Sequence, residues 1–239
     1  MKTIKLFALI LFCSILIQSN ALQASQAENG RQTRQINGFH GISVSSGIDL
    51  YLTQKNIEEV VVEADEDELD KIITKVESGI LKIYIKEQSW FNLNWNTEPR
   101  KVHVSFKTLD RLEASAGSDV KAQGILKVEI LNLDASSGSD IKLELEANEL
   151  SVETSSGSDI SLKGNVLFVQ ASASSGSDIN ASELQTKKCI ANVSSGSDIR
   201  IHVTDELDAN ASSGGDIIYS GNPKKKDINE SSGGSIHDR

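Results

Sequence analysis

The sequence predicts an all-β protein, a right-handed parallel β-helix with about 18–21 residues in each coil and a more irregular β region on its N-terminal side. Two observations predict this fold. The hexapeptide Ser-Ser-Gly-Ser-Asp-Ile is intact at four places, which begin at Ser136, Ser155, Ser174 and Ser194. Counting its near copies, the glycine of the motif recurs at positions 117, 138, 157, 176, 196, 214 and 233. Such a period is typical of a solenoid, in which each repeat buries its neighbour.

The residues that flank each glycine predict how a coil is built. Three positions before the glycine, small or β-branched residues recur at Ala114, Ala135, Thr154, Ala173, Val193 and Ala211. Three positions after it stand Val120, Ile141, Ile160, Ile179, Ile199, Ile217 and Ile236. Apolar residues repeat at every second position within each arm, as in strands with one buried face. We expect a tight corner at Ser-Ser-Gly, with the glycine at positive φ and Ser and Asp bonded to backbone groups. The right hand is expected because nearly all crossover connections have it.

Residues 1–21 are predicted to be a secretory signal peptide. Lys2 and Lys5 precede the apolar run Leu6–Ile17, and Ser19-Asn20-Ala21 provides small residues for cleavage. The run is shorter than the ~20 residues that a bilayer requires, and the mature chain holds no membrane-span candidate. We therefore expect export through the secretory pathway to the periplasm, the outer membrane surface or the extracellular space. Residues 22–35 are polar and aperiodic and are interpreted as a flexible leader.

Residues 36–109 are predicted to form an N-terminal β region continuous with the solenoid, and residues 110–239 the regular repeats. One segment of the first region has two interpretations. Leu69, Ile72, Ile73 and Val76 have helical spacing within Asp67–Val76. The alternative is a hairpin, in which Ile73–Glu77 and the alternating run from Leu81 to Ile85 flank a turn at Ser78-Gly79.

Charge and cysteine content exclude several classes of protein. The net charge of −10 repels nucleic acid and anionic lipid, so neither is an expected partner. Cys189 is the one cysteine beyond the signal peptide, which excludes an intramolecular disulfide in the mature chain. Its parity places it inward, as a small core residue rather than a nucleophile.

The chain resembles the head GIN domain family. The resemblance rests on the segment from Ile36 to Ile42 (INGFHGI), on the strand pair around Ser78-Gly79 and on the iterated SSGSDI. It covers residues 36–236 and implies an exported β-helix of the kind found in auto-transporter adhesin heads of Bacteroidetes-type bacteria. It implies no catalytic residues.

An aspartate recurs two positions after each glycine, at Asp119, Asp140, Asp159, Asp178, Asp198 and Asp216, with Asp49 in the matching place of an early copy. Stacked coils would align these carboxylates along one edge. Ca²⁺ binding is one interpretation, but a single Asp from each coil is few oxygens for an ion that takes 6–8. The favoured interpretation is that Asp accepts backbone N–H bonds at the corner. We expect no metal and no cofactor.

Serine, histidine and aspartate are all present, yet a catalytic triad is not expected. Ser and Asp repeat identically in successive coils, which suits a structural role better than a single active site. A β-helix polysaccharide lyase or hydrolase would need paired carboxylates or basic residues in a groove. The sequence shows no such set, so we expect a protein that is not an enzyme.

The segment Ser89–Asn96 holds both tryptophans, and Trp90, Phe91 and Trp95 form the candidate binding surface. Clustered aromatics suit contact with a cell-surface glycan or protein. The alternative is a loop that covers the end of the β-helix. The expected function is a non-catalytic adhesin or surface-binding module; the alternatives are a carbohydrate-active β-helix enzyme and a purely structural envelope protein.

Overall fold

The computed structural model describes residues 27–28, 30–86 and 99–239, and the protein is a β-solenoid of about 7 turns, as predicted. Strands hold 67% of the described residues and helix 2%. Within the described residues, no helix has the length and apolar character that crossing a bilayer requires. The signal peptide predicted for residues 1–21 lies outside the described residues, as do Trp90, Phe91 and Trp95.

Eighteen strands and one short helix make up the described chain. In order, they are β1 (Ala27–Glu28), β2 (Arg31–Arg34), β3 (Gly41–Val44), β4 (Asp49–Gln54), β5 (Glu59–Glu63), α1 (Glu66–Leu69), β6 (Ile72–Glu77), β7 (Ile80–Ile85), β8 (Lys101–Phe106), β9 (Arg111–Ala114), β10 (Asp119–Lys127), β11 (Ile130–Ala135), β12 (Asp140–Ser155), β13 (Asp159–Ser174), β14 (Asp178–Val193), β15 (Asp198–Ala211), β16 (Asp216–Ser220), β17 (Lys225–Glu230) and β18 (Ser235–Asp238).

The regular coils stack as parallel strands with their repeated motifs in register. Asp140 pairs with Asp159 and Ile141 with Ile160 between β12 and β13, and the same match continues through β14 and β15. Each of β12 to β14 runs for 16 residues from one Ser-Ser-Gly corner to the next. The alternation of buried and exposed residues changes phase midway along each strand, at residues 147–149 in β12, and this change marks a second bend. Ile160 is 1% exposed between Ile141 and Ile179, which confirms the predicted isoleucine column.

The unequal steps between glycines are absorbed in the part of each coil between the Ser-Ser-Gly corner and the second bend. Relative to β12, strand β10 holds two extra residues between Lys121 and Ile125, which accounts for its step of 21 rather than 19. Strand β14 likewise holds one extra residue opposite the interval from Ser161 to Lys163 in β13. Bulges add length without disturbing the register on either side, so the Ser-Ser-Gly corners stay aligned.

The N-terminal strands do not stack in chain order. Strand β3 lies between β7 and β9, and β4 lies between β8 and β10, all in parallel. The first coil along the chain is therefore the second coil of the stack. Antiparallel strands then complete this end, because β6 pairs with β7, β5 with β8, β2 with β5 and β1 with β2.

The hairpin interpretation of residues 67–85 is confirmed, and the helix predicted for Asp67–Val76 is wrong beyond its first residues. Helix α1 covers four residues, and Ile72 already begins β6, which pairs with β7 across the Ser78-Gly79 turn. Both residues of that turn have positive φ, at 51° and 77°. Such a turn matches the twist of two paired strands, so the hairpin prevails over the helical spacing.

Part of the predicted flexible leader is a strand. Arg31–Arg34 forms β2 at the edge of β5, although its sequence shows no apolar alternation. Arg34 holds it in place: the guanidinium donates to the carbonyl oxygens of Ile72 at 2.6 Å and Leu69 at 2.7 Å. These charge-assisted bonds hold the strand without the buried apolar side chains by which a strand is recognised in a sequence.

The coil formed by β17 and β18 carries charged residues at positions that hold buried, uncharged residues in the preceding regular coils. Lys226 is in register with buried Leu207, and Glu230 with buried Ala211. Lys226 Nζ lies 5.5 Å from the ring centroid of Tyr219, and a Glu230 carboxylate oxygen accepts the Ile236 N–H at 2.6 Å. This coil therefore covers the apolar core with a charged layer, as terminal repeats of solenoids do.

Candidate functional site

The Ser-Ser-Gly corner is a turn with two residues in the left-handed region. In the coil of Gly157, φ is 58° at Ser156 and 70° at Gly157. The positive φ predicted for the glycine is confirmed; that of the preceding serine was not foreseen. Ser156 and Gly157 are exposed, whereas Ser158 is fully buried. The corner therefore presents a narrow edge of small residues to solvent.

The buried third serine of the motif is a structural residue. In the coil of Ser177, its Oγ donates to the carbonyl of Thr154 at 3.0 Å in the preceding coil, and its N–H donates to Ser197 Oγ at 3.1 Å in the following one. Ser118, Ser139, Ser158, Ser177 and Ser197 all have zero exposed area. This bonding satisfies backbone groups that the corner would leave unpaired. It explains why the serine repeats, and it removes these serines as candidate nucleophiles.

The aspartates form the predicted ladder on the face that follows the corner. Asp119 pairs in register with both Asp49 and Asp140, and the series continues to Asp216. Asp178 Oδ1 accepts the Asp198 N–H at 3.1 Å, which is the predicted backbone role. Partial burial, followed by the charges of Asp119 and Asp159, raises the pKa of Asp140. Among the described residues, no three His, Cys, Asp or Glu side chains are arranged to hold a metal ion.

A second row of carboxylates lies on the face that precedes the corner. Glu113, Asp134 and Glu153 are in register in three successive coils around a shallow depression of about 160 Å³. Burial, then the charges of Glu153 and Glu113, raises the pKa of Asp134. This is the most enzyme-like acidic set in the described part of the chain. The pKa of Asp140 in the Asp ladder is raised for the same two reasons, burial first and like charges second, so a raised pKa in stacked carboxylates does not by itself indicate an active site.

Histidine, serine and aspartate meet only in pairs within the described residues. His40 Nδ1 lies 2.9 Å from both carboxylate oxygens of Asp110, near the N-terminal end of the stack. His202 Nδ1 lies 3.0 Å from Ser220 Oγ, several coils away. Each pair lacks the third partner that a nucleophilic triad requires. Cys189 is 2% exposed, and burial raises the pKa of its thiol to about 12, so it is the core residue that its parity predicted.

Two large grooves lie on the surface of the described coils. The first, here called the bend groove, has a volume of about 690 Å³ and extends over the coils from Lys127 to Thr204. The second, of about 610 Å³, lies beside the Asp ladder and is lined by Lys121, Lys142 and Lys163 together with Glu144 and Glu183. The sequence did not reveal the bend groove. Its one signal is that Asn165 and Gln185 occupy matching outward positions in successive coils.

The predicted binding residues Trp90, Phe91 and Trp95 fall in residues 87–98, outside the described residues. The ends of that segment are nevertheless fixed. Strand β7 pairs with β3, and β8 pairs with β4, where β3 and β4 are joined by the four-residue corner Ser45–Ile48. Strands β7 and β8 therefore stack on the two strands that this corner joins, and Asp49 N–H donates to the Arg100 carbonyl at 2.9 Å.

Comparison with known proteins gives one family and several structures. The family model described as "Putative auto-transporter adhesin, head GIN domain" matches residues 38–223. A search of curated proteins finds no match.

Three crystal structures illustrate the structural similarity. A "putative adhesin" from Bacteroides fragilis has a TM-score of 0.78 at 19% identity and covers 87% of this chain and 96% of its own. A "putative lipid binding protein" from Parabacteroides distasonis has a TM-score of 0.66 at 22% identity, with 89% and 98% covered. A "putative adhesin" from Parabacteroides merdae has a TM-score of 0.67 at 18% identity, with 87% and 95% covered. At these identities the structures support the fold alone.

Proposed function

The chain belongs to the family described as putative auto-transporter adhesin, head GIN domain, and from this we propose that it is an exported, non-catalytic module that binds a glycan or protein at the cell surface. One observation carries the proposal. The family match extends over residues 38–223, and so over the stack of coils itself rather than over an appended segment. The signal-like residues 1–21 support export to the periplasm, the outer membrane surface or the extracellular space.

The construction of the stack suits a binding module. The backbone groups of β12 to β15 bond to neighbouring coils, so each outward side chain is held at the coil spacing of ~4.8 Å. Rigid rows of side chains lose little conformational entropy when they bind a partner. A long, regular face of this kind presents the same contact several times, which favours a repetitive or extended ligand.

We place a principal contact at Trp90, Phe91 and Trp95. Residues 87–98 connect β7 to β8, and both tryptophans of the chain lie within them. Aromatic side chains dominate the binding energy of most interfaces. An anchor at one end of the stack would leave the remaining coils free to extend the contact.

The rival proposal is a carbohydrate-active enzyme, and Asp134 between Glu113 and Glu153 is the observation that favours it. A glycosidase needs one carboxyl group with a raised pKa and a second that is ionised. The depression around these residues holds only about 160 Å³, far less than a bound oligosaccharide needs. We therefore favour binding without catalysis.

Surface binding is tested with the purified chain and with cells that express it. We expect external protease to remove the protein from intact cells, and we expect labelled protein to bind mucin-coated or polysaccharide-coated surfaces. Trp90→Ala with Trp95→Ala should weaken that binding at least tenfold while the β-sheet circular dichroism is retained. The matched control is Ile57→Ala with Ile228→Ala, which removes exposed apolar side chains elsewhere and should bind normally.

Two results would count against the proposal. A protease-protected periplasmic pool would contradict the surface location. Release of reducing or unsaturated sugar ends above a heat-treated control, abolished by Asp134→Asn, would establish the enzyme instead. Loss of fold in the tryptophan double variant would reassign that segment to a structural role.

A further inference from the structure

We propose that the bend groove binds an uncharged glycan chain that lies parallel to the solenoid axis. The inference rests on the proposed function, because it names a second contact and a ligand class for the same binding module. The geometry of the groove, its free hydrogen-bonding groups and its balanced charge each support a neutral glycan as the ligand.

The groove runs along the stack rather than along a strand. Glu146, Asn165 and Gln185 follow one another in register in three successive coils, so their side chains form a row along the axis. Beneath this row, Val166 and Thr186 are 2% and 1% exposed and form a closed floor. Leu167 is 48% exposed at its side and offers an apolar surface. A ligand in this groove contacts one set of side chains from each coil.

Asn165 and Gln185 present unused hydrogen-bonding groups. Both side chains are exposed, and within the described residues neither amide bonds to another protein group. Amides farther along β14 and β15 behave differently, since Asn210 Nδ2 donates to Asn192 Oδ1 at 3.2 Å. A primary amide offers two donors and one acceptor, which matches neighbouring hydroxyl groups on a sugar ring. The coil spacing of ~4.8 Å is close to the length of one sugar residue in an extended chain.

The charges of the groove cancel. Its charged lining residues are two lysines and two glutamates, and Lys127 Nζ pairs with Glu146 Oε2 at 3.1 Å. Glu129 bonds to the amide of Asn148. The second groove, by contrast, carries three lysines against two glutamates beside the Asp ladder, and the chain as a whole has a net charge of −10. A balanced groove on an acidic protein favours a neutral ligand and disfavours an acidic glycan.

The position of the groove excludes a peptide bound by strand addition. That mode of binding needs an unpaired strand edge with free N–H and C=O groups. Asn165 stands in the middle of β13, which pairs with β12 on one side and β14 on the other. The groove therefore offers side chains and no backbone, which suits a ligand that carries hydroxyl groups along its length.

The test measures binding of defined oligosaccharides to the full chain by NMR. The probes are the neutral hexasaccharides cellohexaose, chitohexaose and mannohexaose, with hexagalacturonate as the acidic comparison. We expect at least one neutral probe to shift the side-chain NH₂ signals of Asn165 and Gln185 in a saturable manner. Asn165→Ala with Gln185→Ala should then raise Kd at least tenfold, while the control Asn192→Ala with Asn210→Ala should leave it within twofold.

Three outcomes overturn the inference: no shift in the groove with any neutral probe, a lower Kd for hexagalacturonate, or an unchanged Kd in the groove variant. Should the alanine pair fail to fold, Asn165→Asp with Gln185→Glu replaces it, because it keeps the side-chain size and adds two charges. The surface-binding assay separates the two proposals. A chain that adheres to surfaces but shows no groove shift with any neutral sugar probe refutes the groove alone. A wild-type chain that adheres to no surface refutes the proposed function.

Discussion

The main-chain N–H of Ser139 donates a hydrogen bond of 3.2 Å to Ser158 Oγ in the next coil, and both serines are fully buried. The corners are therefore joined through side chains as well as through the backbone ladder. Ser139 Oγ accepts the Ser136 N–H of its own coil at 3.1 Å and donates to the Ala114 carbonyl of the preceding coil at 2.8 Å, so one hydroxyl of this column serves two coils. Stability at the corner should depend on these hydroxyl groups more than on the exposed serines beside them.

Ser158→Ala should lower the thermal midpoint by about 3–10 °C. The substitution leaves the buried Ser139 N–H without its acceptor, at a cost of about 1–3 kcal/mol, and a protein of this size loses about 2–4 °C for each kcal/mol. Ser172→Ala is the control, since Ser172 is exposed and should tolerate the change. Differential scanning calorimetry measures both. Equal midpoints for the two variants would show that the buried column contributes nothing.

Gly164→Ala should destabilise the protein far more than Gly157→Ala. Both glycines have positive φ, at 112° and 70°, but a Cβ atom on Gly164 would collide with the carbonyl oxygen of Leu145, whereas one on Gly157 meets no atom within 4 Å. We expect about 1–2 kcal/mol for Gly157→Ala, from backbone strain alone. Gly164→Ala should cost more than about 3 kcal/mol, because backbone must move. Urea unfolding measures both, and a reversed order would contradict the packing.

Asp140→Asn should raise the thermal midpoint at pH 7 by about 1–3 °C, since repulsion between exposed charges is worth up to about 1 kcal/mol. The amide keeps the oxygen that accepts the backbone bond. Because the folded pKa of Asp140 lies above the unfolded one, the folded state binds the proton more tightly, and this stabilisation is lost as pH rises through the folded pKa. The benefit should therefore vanish near pH 3.

The pKa of Glu68 is shifted in the opposite direction from that of Asp140, so the two groups change the stability oppositely as pH falls. Its bond to Lys71, together with Arg100, lowers the pKa of Glu68, so its stabilisation is present at neutral pH and lost as pH falls through the folded pKa. As the pH of the melts is lowered from 7 to 3, the wild type should first gain stability when Asp140 is protonated and then lose stability when Glu68 is protonated. A lower midpoint for Asp140→Asn at pH 7 would contradict the repulsion.

Calcium should leave the thermal midpoint within about 2 °C of its value in EDTA. Each coil adds one Asp to the ladder, and Asp178 already accepts a backbone N–H, so few oxygens are left for a cation. Melts in millimolar CaCl₂ and in EDTA measure this. A rise of about 10 °C would make the ladder a binding site, since a ligand of the native state stabilises it by mass action.

The periodic part of the fold could be predicted from the sequence because each position recurs. The isoleucine column, the small residues before the corner and the inward parity of Cys189 all follow from period-two alternation. The burial of the third serine could not, since a hydroxyl inside a core contradicts any hydrophobic pattern. Its signal is positional: the matching residue is Ile48 near one end of the stack and Gly215 towards the other.

The N-terminal region could be predicted only in part. Alternation identified β7 as a strand, yet no local pattern states that β3 lies between β7 and β9. Stacking order is a long-range property, fixed by which coil offers a complementary edge. The bend groove was missed for the same reason, because it arises from side chains about 20 residues apart that become neighbours only when the coils stack.

The charged final coil has a consequence for how the molecule behaves at high concentration. A stack of identical apolar coils is a template on which another chain could continue the same ladder, and so seed a fibre. Lys226 and Glu230 are in register with Leu207 and Ala211, at positions where such a template would need small or apolar residues. A second chain docking there would bury two charges in place of two apolar side chains. The repeats that build the solenoid therefore include a charged coil on which a further apolar coil stacks unfavourably.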